Sequence, residues 1–188
     1  MLYYTIGLPR SGKSTLCDKW VSYEMDINWN QFEPYVREEI LSPNQQIENS
    51  RVIVCSDDIR MALHGCRFNS LAESMVGSIK EIMVRALLRR GFDVIVDGTH
   101  TTENSIKKIL SLDKNAQYVY INTSAEKCKE RARETDQEDL CPVIDRMEFN
   151  LEELCKDAYG NRISLRSAVE YINILFSNYN KSDKIQVE

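Results

Sequence analysis

No apolar run in this 188-residue sequence approaches the roughly 20 residues that a bilayer-spanning helix requires, which excludes a membrane-spanning segment. Clustered metal ligands are also missing. Cys17, Cys55, Cys66, Cys128, Cys141 and Cys155 form no CxxC pair and do not group with His64 or His100, so structural zinc is not expected and buried free thiols are. Basic residues are in deficit, 24 Lys and Arg against 29 Asp and Glu, for a net charge of −5. A broad nucleic-acid surface needs clustered cations to displace counterions, so contact with a nucleic acid would have to be confined to something as small as a strand end. Internal repeats and low-complexity tracts are absent, and no stretch resembles a leader ahead of the glycine-rich loop at residue 7, which leads us to expect a cytoplasmic protein. The 43% hydrophobic and 28% charged shares are those of an ordinary globular chain, and the length suits one domain.

Short apolar runs alternate with longer segments of 3.6-residue period, the pattern of an α/β fold with a central parallel sheet flanked by helices. Residues 3–6, 52–55, 94–96 and 118–121 read as strands, several of them β-branched throughout, as buried strands are. Residues 13–23 read as the helix after the first strand. Leu71, Met75, Ile79, Ile82, Met83, Ala86 and Leu87 line up as one helical stripe, expected to face the core, with Gly91 as its C-terminal cap. Pro142 opens a helix carrying Val143, Ile144, Met147, Leu151 and Leu154, and Ser164 caps a final amphipathic helix at about residues 164–177. Residues 24–50 are polar and irregular and contain Pro34 and Pro43. They read as an insertion with one short helix, whose Trp29, Phe32 and Tyr35 either pack on the domain or stack on a base.

The chemistry concentrates where strands end. Gly7-Leu8-Pro9-Arg10-Ser11-Gly12-Lys13-Ser14 fits GxxxxGK[ST] in full, between an expected strand and an expected helix. In such a loop the backbone N–H groups curl around a nucleoside triphosphate's β-phosphate, the lysine bridges β- and γ-phosphates, and the serine ligates Mg2+. Pro9, Arg10, Ser11 and Thr15 complete the expected nucleotide-binding set, with ATP as donor. After the second strand comes Ser56-Asp57-Asp58-Ile59-Arg60, where Asp57 and Arg60 would share a helical face. A carboxylate that takes a hydroxyl proton and a cation that holds an anionic acceptor are what a kinase needs, so Asp57 is the candidate base and Arg60, with Asp58, the candidate acceptor site. The third strand ends in Asp97-Gly98-Thr99-His100, and Asp97 is the candidate second metal residue beside Ser14. The same triplet occurs in haloacid-dehalogenase phosphatases, but those need an aspartate where Ile95 stands. His100 is either an active-site contact or a hydrogen-bonded structural histidine. Lys127, Lys129, Arg131 and Arg133 fall in a polar segment, residues 127–141, that reads as a lid, and an arginine from it would neutralise charge on the transferred phosphoryl group.

Taken in order, Thr5-Ile6-Gly7-x-Pro9-x-Ser11-Gly12-Lys13-Ser14-Thr15, Asp57-Asp58-Ile59-Arg60, Asp97-Gly98-Thr99 and Val143-Ile144-Asp145-Arg146-Met147 resemble the kinase domain of phage polynucleotide kinases and related small P-loop kinases. The resemblance covers roughly residues 2–150. It implies a parallel sheet with an arginine-bearing lid and transfer of the γ-phosphoryl group of ATP to a nucleic-acid 5'-hydroxyl. By position it implies Asp57 as general base, Arg60 as acceptor-phosphate contact, Arg131 or Arg133 as lid arginine, and Lys13 and Ser14 as donor-phosphate and metal residues. Three features depart from the family: Arg10 where glycine is frequent, His100 where asparagine is usual, and the long insertion before Asp57. Two other readings compete. A small-molecule kinase acting on a nucleoside, sugar or other metabolite suits the acidic balance. A hydrolysing switch or binding module would leave Asp57 and Arg60 without a purpose.

Overall fold

The computed structural model describes residues 1–27, 34–36, 50–65 and 68–182. They form two compact units. The first comprises Met1–Ile6, Gly12–Gly98 and Gln117–Ile121, the second Gly7–Ser11, Thr99–Ala116 and Asn122–Glu188.

The first unit holds, in chain order, β1 (Leu2–Ile6), α1 (Lys13–Val21), β2 (Met25–Ile27), β3 (Pro34–Val36), β4 (Arg51–Cys55), α2 (Ser56–His64), α3 (Glu73–Arg89), β5 (Asp93–Asp97) and β6 (Gln117–Tyr120). Four strands make a parallel sheet in the order β4-β5-β1-β6. The four expected strands are all there, each within a residue or two. Every residue of β1 is buried, as the central run of a parallel sheet covered on both faces should be. Leu16, Cys17 and Trp20 of α1 pack on Tyr3, Ile95 and Val119, with the Tyr3 and Trp20 rings edge to face at 5.5 Å. Each fully buried aliphatic side chain of this kind stabilises the fold by about 1.5–3 kcal/mol.

Within the expected insertion, β2 and β3 pair as short antiparallel strands, and any short helix in the remainder of residues 24–50 lies outside the described residues. Trp29, Phe32 and Pro43 lie outside the described residues, as does the rest of residues 37–49. One expectation fails, that for the inward stripe of α3. Leu71 is 92% and Ile82 66% exposed, and Met75, Met83 and Ala86 are also on the surface, whereas Val76 and Val84 are buried. Apolar side chains occupy more than half of this helix's circumference, so periodicity alone could not say which of them turn inward. Packing against β4 and β5 selects the side bearing the compact, β-branched valines.

The second unit contains α4 (Glu103–Leu110), α5 (Ala125–Arg133), α6 (Cys141–Leu154) and α7 (Leu165–Ser182). Thr102 and Ser105 close a reciprocal capping box at the start of α4, and Ser124 and Ser164 accept from backbone N–H groups at the starts of α5 and α7. Leu8 is buried among Ala125, Cys128, Ala132 and Ile144, so one apolar side chain anchors residues 7–11 to the α5 and α6 pair. The last helix runs five residues beyond its expected end.

The inward face of α3 can be tested by thermal unfolding. Val84→Ala should destabilise the chain by about 2 kcal/mol through loss of buried methyl groups, and Ile82→Ala by less than about 0.5 kcal/mol. The reverse order would restore the other stripe as the core face.

Candidate active site

The chain leaves β1 through Gly12, whose φ of 106° is open to glycine alone at no steric cost, and enters α1 at Lys13. Lys13 is 8% exposed. One residue on, the Ser14 hydroxyl donates to Asp97 Oδ2 at 2.6 Å. Asp97, 7% exposed at the end of β5, has Thr5 Oγ1 3.4 Å from its Oδ1, and that hydroxyl donates to the Gly98 carbonyl at 2.8 Å and accepts from the Gly98 N–H at 3.0 Å. Because β5 and β1 are neighbours in a parallel sheet, their carboxyl ends lie side by side, which is where α/β sheets bind ligands. Ser14 and Asp97 thus place two hard oxygens together, a donor pair that suits Mg2+, an ion that takes one or two protein oxygens and keeps several waters. Thr15 is exposed at the start of the helix.

On the other side of β5, β4 ends at Cys55 and α2 starts at once, putting Asp57 and Asp58 in its first turn. Both carboxylates are exposed, and Asp58 makes no side-chain hydrogen bond or ion pair among the described residues. Arg60 is less exposed and is gripped from two sides. Its Nε and Nη2 donate to Glu73 at 2.7 and 2.6 Å, and its Nη1 donates to Asp57. Glu73 first, then Asp57, raises the guanidinium's affinity for its proton, and Arg60 holds the Glu73 carboxyl below the usual range. Of the five N–H donors of a guanidinium, these bonds use three among the described residues. Sequence reasoning placed Asp57 and Arg60 together correctly but missed Glu73. It lies 13 residues beyond Arg60, opens a separate helix and belongs to no motif.

The second unit holds the other half of the loop. Gly7 N donates to the Thr99 carbonyl at 3.0 Å. Arg131 Nη1 donates to the carbonyls of Arg10 and Ser11 at 3.1 and 3.3 Å, and Thr123 Oγ1 donates to Ser11 at 2.9 Å. Arg10 has a φ of 63°, a left-handed conformation that disfavours most side chains by roughly 1–2 kcal/mol. Glycine would take this conformation without that cost. Here the strain is offset locally, since Arg10 bonds the Thr135 hydroxyl while Arg131 bonds its carbonyl. His100 is buried and also left-handed, with φ 41°, a conformation that asparagine and histidine tolerate better than most residues. Of the two lid-arginine candidates, only Arg131 touches residues 7–11 in this unit, and Arg133 is exposed, 3.8 Å from Glu138. The segment 127–141 consists of most of α5, a turn and a 3-10 turn at Glu138–Leu140. Thr5, Thr123 and Thr135 are supporting residues that no motif identified.

A strand, a glycine-hinged loop with a buried lysine, and a helix whose first serine meets the carboxylate of the neighbouring strand define a P-loop kinase-like domain. The chain belongs to the AAA domain family, which it matches over residues 40–154, more than half of its length. The phosphate loop itself precedes that span. By shape the chain is similar to a chain of a Pnkp1/Rnl/Hen1 RNA repair complex, with a TM-score of 0.53 and 18% identity over 97% of this chain and 45% of that one. It is similar also to APE1195, with a TM-score of 0.51 and 15% identity over 100% of this chain and 96% of the other. A gluconokinase from Sinorhizobium meliloti 1021 aligns at a TM-score of 0.48 and 13% identity over 100% of this chain and 97% of that one, too low to bear on the fold. The chain spans less than half the length of the repair-complex chains it resembles. No curated protein matches its sequence. Among the described residues no helix is long and apolar enough to cross a membrane.

The Arg60 and Glu73 pair predicts a pH dependence. Glu73 titrates below the ordinary glutamate value of about 4.3, so its contribution is present in full above that pH and is lost as the pH falls through the folded value. Thermal unfolding between about pH 6 and about pH 3 should show the wild type losing stability more steeply than Glu73→Gln. Parallel curves would remove the pair from the stability of the fold.

Proposed function

We propose that this chain is an ATP-dependent polynucleotide kinase that transfers the γ-phosphoryl group to a nucleic-acid 5'-hydroxyl. The observation that supports the reading most directly is the placement of the Arg60 guanidinium one helical turn beyond the exposed carboxylate of Asp57. Such a pair suits an acceptor that brings a hydroxyl and an anion together. The first nucleotide of a strand does so, with its 5'-hydroxyl and its 3'-phosphate.

In this reading Lys13 and the backbone of residues 7–15 bind the donor phosphates, with Pro9, Arg10, Ser11 and Thr15 in the loop and its flank. Ser14 and Asp97 hold Mg2+, which when bound neutralises charge on the phosphate oxygens. Asp57 takes the proton of the attacking hydroxyl. Arg60, with Asp58 beside it in the same turn, meets the acceptor. Arg131 braces the loop through the carbonyls of Arg10 and Ser11, and Arg131 or Arg133 supplies a cation to the transferred group from a lid at residues 127–141. The net charge of −5 favours a second reading, a small-molecule kinase, because a polyanionic strand approaches such a chain at a disadvantage.

Two measurements test the proposal. Asp57→Asn should leave ATP affinity unchanged and lower kcat by about 10² or more, since it removes the proton acceptor and keeps the side-chain shape. Near-normal turnover by the folded variant would take Asp57 out of the chemistry. The acceptor is tested by comparing a nucleoside with its 3'-phosphate. A charge-assisted contact to the phosphate is worth about 1.5–3 kcal/mol, so the 3'-phosphate should be used about tenfold to a hundredfold better, and Arg60→Ala should erase most of that advantage. Equal use of both compounds, unaffected by Arg60→Ala, would favour the small-molecule reading.

A further inference from the structure

The second unit carries a cavity of about 600 Å³ between the start of α4, the end of α6, the loop before α7 and the first turns of α7. That volume falls within the range of small-molecule sites. Its apolar lining includes Leu154, Ile163, Ala168 and Ile172. Two tyrosines also line it: Tyr159, 91% exposed, and Tyr171, 55% exposed. Rings so exposed beside an apolar recess are poorly accounted for by packing.

The polar groups of the lining narrow the ligand. Glu103 is paired with Lys107 at 2.6 Å, and Glu153 is paired with Lys156. Asp157 accepts from the N–H groups of Tyr159 and Asn161 and from the Asn161 side chain at 2.8–3.0 Å. The charges on this wall each have a partner close by in sequence. Asn150 lines the same cavity, is half-buried, and makes no hydrogen bond or ion pair among the described residues. What the wall leaves on offer is a carboxamide, with donors and an acceptor, and two aromatic faces.

We infer that this cavity binds a nucleobase: a flat, uncharged ring that stacks on tyrosine and presents a mixed donor and acceptor edge to Asn150. Under the kinase reading above, on which this use rests, the base belongs to the strand being phosphorylated. The cavity wall begins at Thr102, three residues beyond Thr99, whose carbonyl accepts the Gly7 N–H. Three residues of chain span at most about 11 Å, so the recess starts close to the phosphate loop within the same unit. The backbone of Tyr159 is held by its own hairpin. The Asp157 bonds, a backbone bridge between Lys156 and Arg162, and Gly160 at φ 82° build the hairpin that presents it, so little ordering is needed on binding.

The test is equilibrium binding of the full chain, without ATP, to a 3'-labelled 5'-hydroxyl DNA octamer, to the same octamer with abasic sugars, and to adenosine. The base-bearing octamer should bind about tenfold or more tightly than the abasic one, and Tyr159→Ala or Tyr171→Ala should remove most of that difference. Tyr159→Phe should keep it, because the stacking face remains, and unfolding curves establish that each variant is folded. Folded alanine variants that bind like the wild type, or an abasic octamer that binds as well as the base-bearing one, overturn the inference. Phosphorylation of the base-bearing octamer by the wild type judges the kinase reading separately. If the octamer is phosphorylated but its binding is indifferent to Tyr159→Ala and Tyr171→Ala, the pocket falls and the kinase reading stands. If it is not phosphorylated, yet adenosine binds and Tyr159→Ala abolishes that binding, the nucleobase pocket stands and the polynucleotide acceptor falls.

Discussion

A carboxylate buried at the end of a central strand must be given partners, because an isolated charge taken out of water is penalised by several kcal/mol. Asp97 is such a group, and its partners are the parts from which a phosphate site is made. Ser14, the first serine of α1, bonds one oxygen at 2.6 Å, and Thr5 approaches the other at 3.4 Å while tying itself to Gly98. The bond therefore couples the start of α1 to the end of β5. Lys13, immediately before Ser14, is itself buried, as is Asp97, so a cation precedes the serine that meets the buried carboxylate. The turn at Gly12 allows this, since it takes the chain from β1 into the helix through a conformation that other residues resist.

The second carboxylate cluster is organised on a different principle. Arg60 lies between Asp57 and Glu73, with its bidentate edge on Glu73. Arginine's planar fork holds two acids at fixed angles. Held in this way, the Arg60 guanidinium is already oriented. Asp57, in the same pairing, stays exposed on the surface.

In the second unit, the loop's carbonyls are the groups that need satisfying. The Arg10 and Ser11 carbonyls accept from side chains, with Arg131 and Thr123 as the donors. This makes α5 a brace for residues 10 and 11, a role compatible with a lid only if Arg131 can exchange those carbonyls for a ligand. It also makes Arg10 tolerable in its left-handed conformation. Arg10 is accommodated by neighbours more than 120 residues away in sequence.

The four strands, the P-loop and the acidic ends of β4 and β5 were legible in the sequence because each is local. A buried parallel strand is a short β-branched run, and the loop's glycines, lysine and serine must stand at fixed spacing to curl around a phosphate. The pairing of Asp57 with Arg60 was legible for the same reason, being one helical turn. What the tertiary structure decided were relations between residues distant in sequence: Glu73 behind Arg60, Thr135 beside Arg10, Arg131 on the loop carbonyls. The inward face of α3 belongs with these. Its helix is apolar on too many sides for periodicity to choose, and only contact with β4 and β5 turned Val76 and Val84 inward and left Leu71 and Ile82 in solvent. Local spacing dictates which groups can act together within one turn or one loop, whereas a side chain's final partner depends on which surfaces the whole chain brings together.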